Sequence, residues 1–167
     1  DDIVLVGTAA GEVLALRQSD GSLAWRAAVS SEVLAPPQVL NQLAVAQSID
    51  GTLVGLDAFT GEKRWSYTTT LPALTLRGTS TPILRDDVVV AGFANGRVAL
   101  IDPERGIAAG DERVAAAKVR SDLERLIDID GKMVYQNGRL YVASYQGRVL
   151  AIDLNAGRPL WSEDAST

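Results

Sequence analysis

Few side chains in this sequence could carry out catalysis. The chain contains no His and no Cys, which removes the commonest general base near neutral pH, the thiol nucleophile and the thiolate metal ligand. Asp128 and Asp130 stand two residues apart and offer carboxylate oxygens, which Ca²⁺ prefers, but the glycine and the terminal glutamate of a calcium loop are missing from the required positions. We therefore predict no catalytic residue, no metal site and no cofactor.

The same two carboxylates fit a different kind of site, a docking patch for another protein. Leu74 and Leu76 point the same way if their segment is extended, and Arg77 presents a fork of N–H donors beside them. An apolar centre flanked by a cation and by Asp128 and Asp130 is typical of a protein interface. Two other roles stay open: the leucines could cover the ends of neighbouring sheets, and Arg77 could pair with either aspartate.

The composition describes an ordinary folded chain of 167 residues, 47% hydrophobic and 22% charged. Lys and Arg number 16 against 21 Asp and Glu, a net charge of −5, which argues against a nucleic-acid groove or an anionic membrane surface as a partner. No apolar run approaches the roughly 18 residues of a membrane-spanning helix. No signal peptide is visible at the first residues, so we expect a mature or excised piece of a longer protein.

A fourfold repeat organises the chain and must position these residues. Four anchor glycines, spaced 40, 45 and 51 residues apart, are each followed ten residues later by a second glycine. In three of the copies a tryptophan follows the second glycine by four residues, and in three an aspartate follows the anchor by six. The repeat residues are Gly11, Gly21, Trp25, Gly51, Asp57, Gly61, Trp65, Gly96, Asp102, Gly106, Gly147, Asp153, Gly157 and Trp161.

Each repeat predicts four short antiparallel strands, the pattern of a β-propeller blade. Apolar runs flank each anchor glycine, and Asn137-Gly138 predicts a further hairpin turn. We expect the tryptophans to pack between adjacent blades and the aspartates to form turns. These residues therefore have a structural role and do not form an active site. The predicted units are an incomplete blade at 1–31 and blades at 32–71, 72–116 and 117–167.

Two repeat segments, 56–65 and 151–161, resemble the tryptophan-docking repeat of quinoprotein-like (PQQ-like) propellers. The connector LPALTLRGTSTP at 71–82 and the segment RSDLERLIDID at 120–130 resemble the BamB family, the lipoprotein subunit of the outer-membrane β-barrel assembly machinery. Both segments have the order and spacing of that family. Gly110, where the family usually has an aromatic residue, and the alanine-rich stretch 114–118 depart from its pattern.

The resemblance implies an eight-bladed propeller, of which this chain carries about half and has two open ends. It implies a non-catalytic scaffold at the periplasmic face of the outer membrane, bound to the periplasmic domain of BamA and aiding insertion of β-barrel proteins. In the family, the positions of Leu74, Leu76, Arg77, Asp128 and Asp130 are implicated in contact with BamA. Other implied partners are further subunits of the assembly complex and unfolded outer-membrane proteins. Membrane contact is implied only through an N-terminal lipid anchor that this chain lacks.

Two alternative functions share the propeller. A PQQ-dependent dehydrogenase would need a quinone pocket with a metal and an acidic base, and that family typically adds a vicinal pair of cysteines, whereas this sequence has none. A generic PQQ-like sensor or ligand-binding propeller is the second alternative, and only the two connectors argue against it.

Overall fold

The structure is a computed structural model that describes residues 2–69, 80–94, 98–108, 133–143, 148–154, 156 and 158–164. Within these ranges the chain forms fourteen β-strands and no helix. The strands are β1 (Ile3–Gly7), β2 (Glu12–Arg17), β3 (Leu23–Ala28), β4 (Gln38–Leu40), β5 (Leu43–Gln47), β6 (Thr52–Asp57), β7 (Lys63–Thr68), β8 (Ile83–Leu84), β9 (Val89–Gly92), β10 (Val98–Ile101), β11 (Val134–Gln136), β12 (Arg139–Ala143), β13 (Arg148–Asp153) and β14 (Arg158–Asp164).

Strands that follow each other in the sequence pair antiparallel and form four sheets. Sheet I contains β1 to β3, sheet II β4 to β7, sheet III β8 to β10 and sheet IV β11 to β14. The prediction of an all-β architecture built from four-stranded antiparallel blades is confirmed by sheets II and IV. Sheet I begins at the second strand of its predicted unit, and the predicted fourth strand of sheet III, at 111–115, lies outside the described residues.

The hairpins between the first two strands of each complete sheet turn at residues that tolerate a left-handed backbone. Asn137 and Gly138 have φ values of 51° and 76°, and β11 pairs with β12 directly across them. Two successive positive φ angles are the signature of the tight hairpin turn for which Asn-Gly is the preferred pair. The predicted hairpin is therefore confirmed. Asn41, between β4 and β5, also has a positive φ of 54°.

The apolar cores lie between neighbouring sheets. One cluster joins sheets I and II, a second joins sheets II and III, and a third joins sheets III and IV. Strand β5 is buried along its whole length, because sheet II is covered on both of its faces. Strand β1 alternates between half-buried and exposed residues instead, since in the described part of the chain only one face of sheet I packs against another sheet.

A tryptophan in the last strand of a sheet docks on a turn of the next sheet. The Nε1–H of Trp25 donates to the carbonyl oxygen of Ala58 at 2.9 Å, and that of Trp65 donates to the carbonyl oxygen of Pro103 at 2.8 Å. The first acceptor lies in the turn between β6 and β7, at 57–62, and the second lies in the turn that follows β10, at 102–107. We call these segments, with 17–22 in sheet I, the docking turns.

In the docking turns 57–62 and 102–107, the glycine provides the surface on which the indole ring of the preceding sheet lies. Gly61 and Gly106 have φ values of 74° and 68°, a conformation that residues with a side chain adopt only at a cost. A Cβ atom on Gly61 would lie 2.6 Å from the Trp25 ring, and one on Gly106 would lie 2.5 Å from the Trp65 ring. Glycine is thus required at both positions for two independent reasons, backbone conformation and close contact.

Each tryptophan also has a small residue opposite it on the neighbouring strand. Trp25 is paired with Ala15, Trp65 with Gly55 and Trp161 with Ala151. In all three sheets the register shifts by one residue directly after that small residue, so that a β-bulge accompanies every tryptophan. A bulge increases the local twist and re-aims a side chain, and here it accompanies each indole that extends toward the edge of the sheet.

The two requirements at the docking glycine can be separated by experiment. Gly61→Ala and Gly21→Ala introduce the same strain, because Gly21 has a nearly equal φ of 71°, but a Cβ at Gly21 has no described atom within 4 Å. We expect Gly21→Ala to lower the free energy of unfolding by about 1 kcal/mol and Gly61→Ala to lower it by roughly 1–3 kcal/mol more, because the added methyl group overpacks the indole. Urea denaturation at protein concentrations where the midpoint is concentration-independent measures both. Equal losses in the two variants would contradict the close contact between Gly61 and the Trp25 ring.

Candidate docking face

The segments that leave the last strand of a sheet are attached to glycine turns, which lie between β1 and β2 in sheet I and between β5 and β6 in sheet II. The amide of Val29, just after β3, donates to the carbonyl oxygen of Gly11 at 2.8 Å, and that of Thr69, just after β7, donates to Gly51 at 3.1 Å. Gly11 and Gly51 both have positive φ values, as their tight turns require. We call this side of the molecule, which bears these turns and the connectors between sheets, the connector face.

The connector 29–37 is described completely and runs from sheet I to sheet II along this face. The Val33 amide donates to Thr8 in the first glycine turn, and the Ile49 amide, in the second, donates to the carbonyl oxygen of Glu32, both at 3.0 Å. The connector is therefore bonded to sheet I through Val29 and Val33 and to sheet II through Glu32, which fixes it relative to two sheets at once. Its exposed side chain Leu34 remains available at the surface.

The next connector carries the predicted docking patch. Leu74, Leu76 and Arg77 lie outside the described residues, but both ends of their segment are described. Thr69 is bonded to Gly51 at the start, and the Ser80 hydroxyl at the end donates to the Gly92 carbonyl oxygen at 3.0 Å and accepts from the Gly92 amide at 3.2 Å. Gly92 ends β9 on the same side of the molecule, so the connector starts and ends on the connector face.

Three further groups of predicted residues also lie outside the described part. These are Asp128 and Asp130 of the patch, the anchors Gly96 and Gly147, and the turn glycine Gly157. The segment that contains Asp128 and Asp130 ends at Met133, which is buried between sheets III and IV directly before β11. The first strand of a blade runs away from the connector face, so that this second connector also reaches its blade from the connector face.

A buried glutamine lies beneath the end of the connector between Thr69 and Ser80. The Gln47 side chain is 1% exposed, and its amide nitrogen donates to the Gly92 carbonyl oxygen at 2.7 Å, which joins sheets II and III. Its Oε1 atom has no hydrogen-bond partner among the described residues. Nothing in the sequence predicts this contact, because Gln47 follows the apolar run 43–46 and belongs to no motif.

The opposite side of the molecule bears the docking turns and the hairpins between the first two strands. Here the Asn41 side-chain amide donates to Asp86 across sheets II and III at 3.0 Å. The Arg85 guanidinium lies 4.6 Å above the centre of the Tyr135 ring, a cation–π contact between sheets III and IV. Adjacent sheets are therefore linked by polar contacts on this side also.

The repeat aspartates shape the docking turns. The Asp57 carboxylate accepts from the amides of Phe59 and Thr60 at 2.9 and 3.0 Å, and Asp102 accepts from the two corresponding amides of its own turn. The Arg64 guanidinium also donates to Asp57. This hydrogen bond, followed by those from the amides, lowers the pKa of the Asp57 carboxyl from its ordinary 3.8 to about 2.

A shallow cavity of about 210 Å³ lies between the first strands of sheets II and III. Its walls are formed by β4, by residues 81–85 and by Met133, and Arg85 is the ionisable residue in its lining. Among the described residues, no cluster of three or more acidic side chains could hold a metal ion. The described part of the chain also contains no helix long and apolar enough to cross a membrane.

Repeated four-stranded sheets, tryptophans docked from sheet to sheet and glycine turns define the class of this protein as a β-propeller of PQQ-like repeats. The family model described as "Outer membrane protein assembly factor BamB" matches residues 1–167. The chain belongs to this family. The expected membership is thereby confirmed.

Individual relatives agree with the family model. Outer membrane protein assembly factor BamB of Pseudomonas aeruginosa is 46% identical over 98 residues, 59% of this chain and 26% of its own length. That of Nitrosomonas eutropha is 32% identical over 165 residues, 99% of this chain and 40% of its own length. The crystal structure of BamB from Moraxella catarrhalis superimposes with a TM-score of 0.84 at 30% identity, covering 99% of this chain and 50% of that one. The chain thus spans half or less of the length of each of these relatives.

The quinoprotein enzymes are more distant. Quinohemoprotein alcohol dehydrogenase from Comamonas testosteroni matches with a TM-score of 0.72 but is only 16% identical, over 98% of this chain and 33% of its own. A likeness at this level concerns the fold alone.

The lowered pKa of Asp57 predicts how one docking turn responds to acid. Because the carboxylate is bound more tightly in the folded state, its contribution is complete above about pH 4 and is lost as the pH falls toward 2. We expect Asp57→Asn to lower the free energy of unfolding at pH 7 by up to about 1 kcal/mol, since solvent screens the ion pair between Asp57 and Arg64. Its difference from the parent should shrink as the pH falls below 4 and be only a small remainder at pH 2, since the contribution is lost as the pH falls through the folded-state pKa.

Denaturant titrations of both proteins in steps between pH 7 and pH 2 measure this difference. Arg64→Met is the matched control, because it removes the largest cause of the pKa shift and leaves the two amide hydrogen bonds of Asp57 in place. The pH dependence of its free energy of unfolding should lie between those of the parent and Asp57→Asn. A difference between parent and Asp57→Asn that stays constant with pH would contradict the assignment.

The contacts of Gln47 predict that two substitutions at this position differ in how much stability they lose. Gly92 accepts from Ser80 as well as from Gln47, so a side chain of similar volume without the amide leaves that carbonyl oxygen bonded. We expect Gln47→Met to stay within about 1 kcal/mol of the parent and Gln47→Ala to lose about 2–3 kcal/mol through the cavity it leaves. Urea denaturation measures both. A loss in Gln47→Met as large as that in Gln47→Ala would mean that the amide itself joins the sheets.

Proposed function

We propose that this chain is part of a non-catalytic scaffold in the machinery that assembles outer-membrane proteins. The observation that carries the proposal is the family match over residues 1–167, together with relatives that are named outer membrane protein assembly factor BamB. These relatives bear the name of an assembly factor, whereas the quinoprotein enzymes share only the fold. A scaffold needs a rigid surface rather than a reactive group, and the connected sheets provide one.

The binding surface in this proposal is the connector face. We assign contact with the periplasmic domain of BamA to Leu74, Leu76 and Arg77 in one connector and to Asp128 and Asp130 in the next. Support comes from the two ends of the connector that carries Leu74, Leu76 and Arg77. These ends are bonded to Gly51 and Gly92 on the connector face. Anchoring both ends lowers the conformational entropy that the segment loses when a partner binds.

The site of action follows from the same membership. A factor that assembles outer-membrane proteins works where those proteins are inserted, and we propose the periplasmic face of the outer membrane for this chain. In the full-length protein, attachment through an N-terminal lipid would hold the scaffold there. Contacts with other subunits of the complex and with unfolded outer-membrane proteins belong to the same proposal, as does the division of the chain into units at 1–31, 32–71, 72–116 and 117–167.

The proposal is tested by replacing Leu74, Leu76 and Arg77 together with alanine. We expect association with the periplasmic repeats of BamA, measured by surface plasmon resonance, to weaken by at least about thirtyfold, because apolar anchors and arginine dominate binding energy at interfaces. Circular dichroism confirms that the variant is folded.

Phe59→Ala is the matched control. Phe59 is a large exposed side chain, 68% accessible, in the docking turn of sheet II on the side opposite to the connector face. Its removal should leave the affinity for BamA unchanged. Unchanged affinity in the triple variant, or equal weakening in the control, would overturn the assignment of the surface.

A further inference from the structure

Buried polar side chains gather at the ends of a single connector. Among the residues that the structure describes, the buried polar side chains are Gln47, Ser48, Thr69 and Ser80. Thr69 begins and Ser80 ends the connector that carries part of the predicted docking patch, which we call the patch connector. Gln47 is the last residue of β5, and Ser48 follows it. A buried polar group costs free energy unless it is hydrogen-bonded, so this concentration indicates specific contacts beneath the patch connector.

The Ser80 hydroxyl takes the place of a backbone partner for Gly92. The register of β8 and β9 would place Thr81 opposite Gly92 if the pairing continued, but β8 begins only at Ile83. The Ser80 hydroxyl instead donates to the Gly92 carbonyl oxygen at 3.0 Å and accepts from the Gly92 amide at 3.2 Å. A hydroxyl can donate and accept at one atom, so that a single side chain provides both bonds.

Gln47 fixes the distance between the two ends of the patch connector. The start of the connector is bonded to sheet II, through the Thr69 amide and the Gly51 carbonyl oxygen, and its end is bonded to Gly92 in sheet III. The Gln47 side-chain amide spans these two sheets and donates to the same Gly92 carbonyl oxygen at 2.7 Å. A carbonyl oxygen accepts two hydrogen bonds, and here both come from side chains around the connector. We call this set of contacts the Gly92 network.

Packing between the sheets does not require these two polar side chains. The residues at the position of Gln47 in the other sheets, each the last residue of its strand, are Gly7, Gly92 and Ala143. Ser80 lies twelve residues before Gly92, and the residue twelve before Gln47 is Ala35, which is buried without a hydroxyl. Gln47 also leaves its Oε1 atom without a partner among the described residues. A buried polar atom of this kind has a cost that packing alone does not explain.

We propose that Gln47 and Ser80 are positioning residues for the docking patch. Through the Gly92 network they hold the end of the patch connector at a fixed place relative to its start, and so keep the side chains between these ends ready to bind. The inference rests on the proposed contact of this patch with the periplasmic domain of BamA. A segment that is held in its binding arrangement loses less conformational entropy when the partner binds, so the network raises affinity although neither side chain contacts the partner.

The first test separates affinity from stability in Gln47→Met, made in the full-length protein. This variant is expected to unfold at nearly the same urea concentration as the parent, because the side-chain volume is kept. We expect its affinity for the periplasmic repeats of BamA, measured by surface plasmon resonance, to fall by at least about tenfold, the cost of ordering about one further residue.

Asp86→Ala is the matched control for Gln47→Met. It removes another hydrogen bond between sheets II and III, the one from Asn41, on the side opposite to the connector face. Its affinity for BamA should equal that of the parent. Full affinity in Gln47→Met, or equal weakening in Asp86→Ala, would overturn the positioning role of Gln47.

The Ser80 hydroxyl is tested by the pair Ser80→Thr and Ser80→Val. The two new side chains have nearly the same shape, so that any strain from the added volume is common to both, and only threonine keeps the hydroxyl. We expect Ser80→Val to bind BamA at least about tenfold more weakly than Ser80→Thr. Ser80→Ala, which adds no volume, should weaken binding in the same way, and circular dichroism verifies that each variant is folded. Equal affinity of the valine and threonine variants, or parent affinity in Ser80→Ala, would overturn the role of Ser80.

A last measurement tests the Gly92 network in the absence of BamA. The Gly92 amide loses its acceptor in Ser80→Ala, so its hydrogen exchange, followed by NMR, should be at least about tenfold faster than in the parent. Exchange of the Thr69 amide, which is bonded to Gly51 in sheet II, should stay the same. Unchanged exchange at Gly92 would overturn the network itself. Faster exchange at Gly92 in a protein whose parent form does not bind BamA would support the network and overturn the proposed partner instead.

Discussion

The contact of an indole ring with the glycine of a neighbouring turn is the constraint on which the architecture depends. The ring can reach the next sheet only if a small residue lies opposite it, and it can dock only where the turn has no side chain. The turn in turn keeps its shape because an aspartate accepts hydrogen bonds from two of its amides. One contact thus explains four recurring residue types, the tryptophan, the small residue opposite it, the turn glycine and the turn aspartate, although the first repeat has Arg17 at the aspartate position and the third has Gly110 at the tryptophan position.

Much of this arrangement could be predicted from the sequence because it depends on local chemistry. The ten-residue spacing between glycines indicates two turns separated by one strand, and Asn137-Gly138 indicates a hairpin by its backbone preference alone. The small residues Ala15, Gly55 and Ala151 could not be recognised, because their role depends on a bulge that forms only when two strands pair. The contact of Gln47 could not be predicted for a similar reason: nothing in the local sequence distinguishes a strand end that faces solvent from one enclosed by a neighbouring sheet.

The repeats and the connectors between them have separate roles in the molecule. The repeats are constrained by packing on both sides, so that little of their sequence is free to specify a partner. The connectors need only meet the hydrogen bonds at their ends, such as those of Thr69 and Ser80, and the residues between these ends are free to differ. This division explains why the repeats indicate the fold class and the connectors indicate the family.

The acceptor in each filled docking turn is a backbone carbonyl oxygen, that of Ala58 in one sheet and of Pro103 in the next. Every amino acid provides this atom, including proline, which has no amide hydrogen to donate. Mutation at the acceptor position therefore does not remove the hydrogen bond, as long as the turn keeps its shape. Duplicated units can diverge in sequence while every copy still fits its neighbours, a property that favours the growth of such proteins by gene duplication.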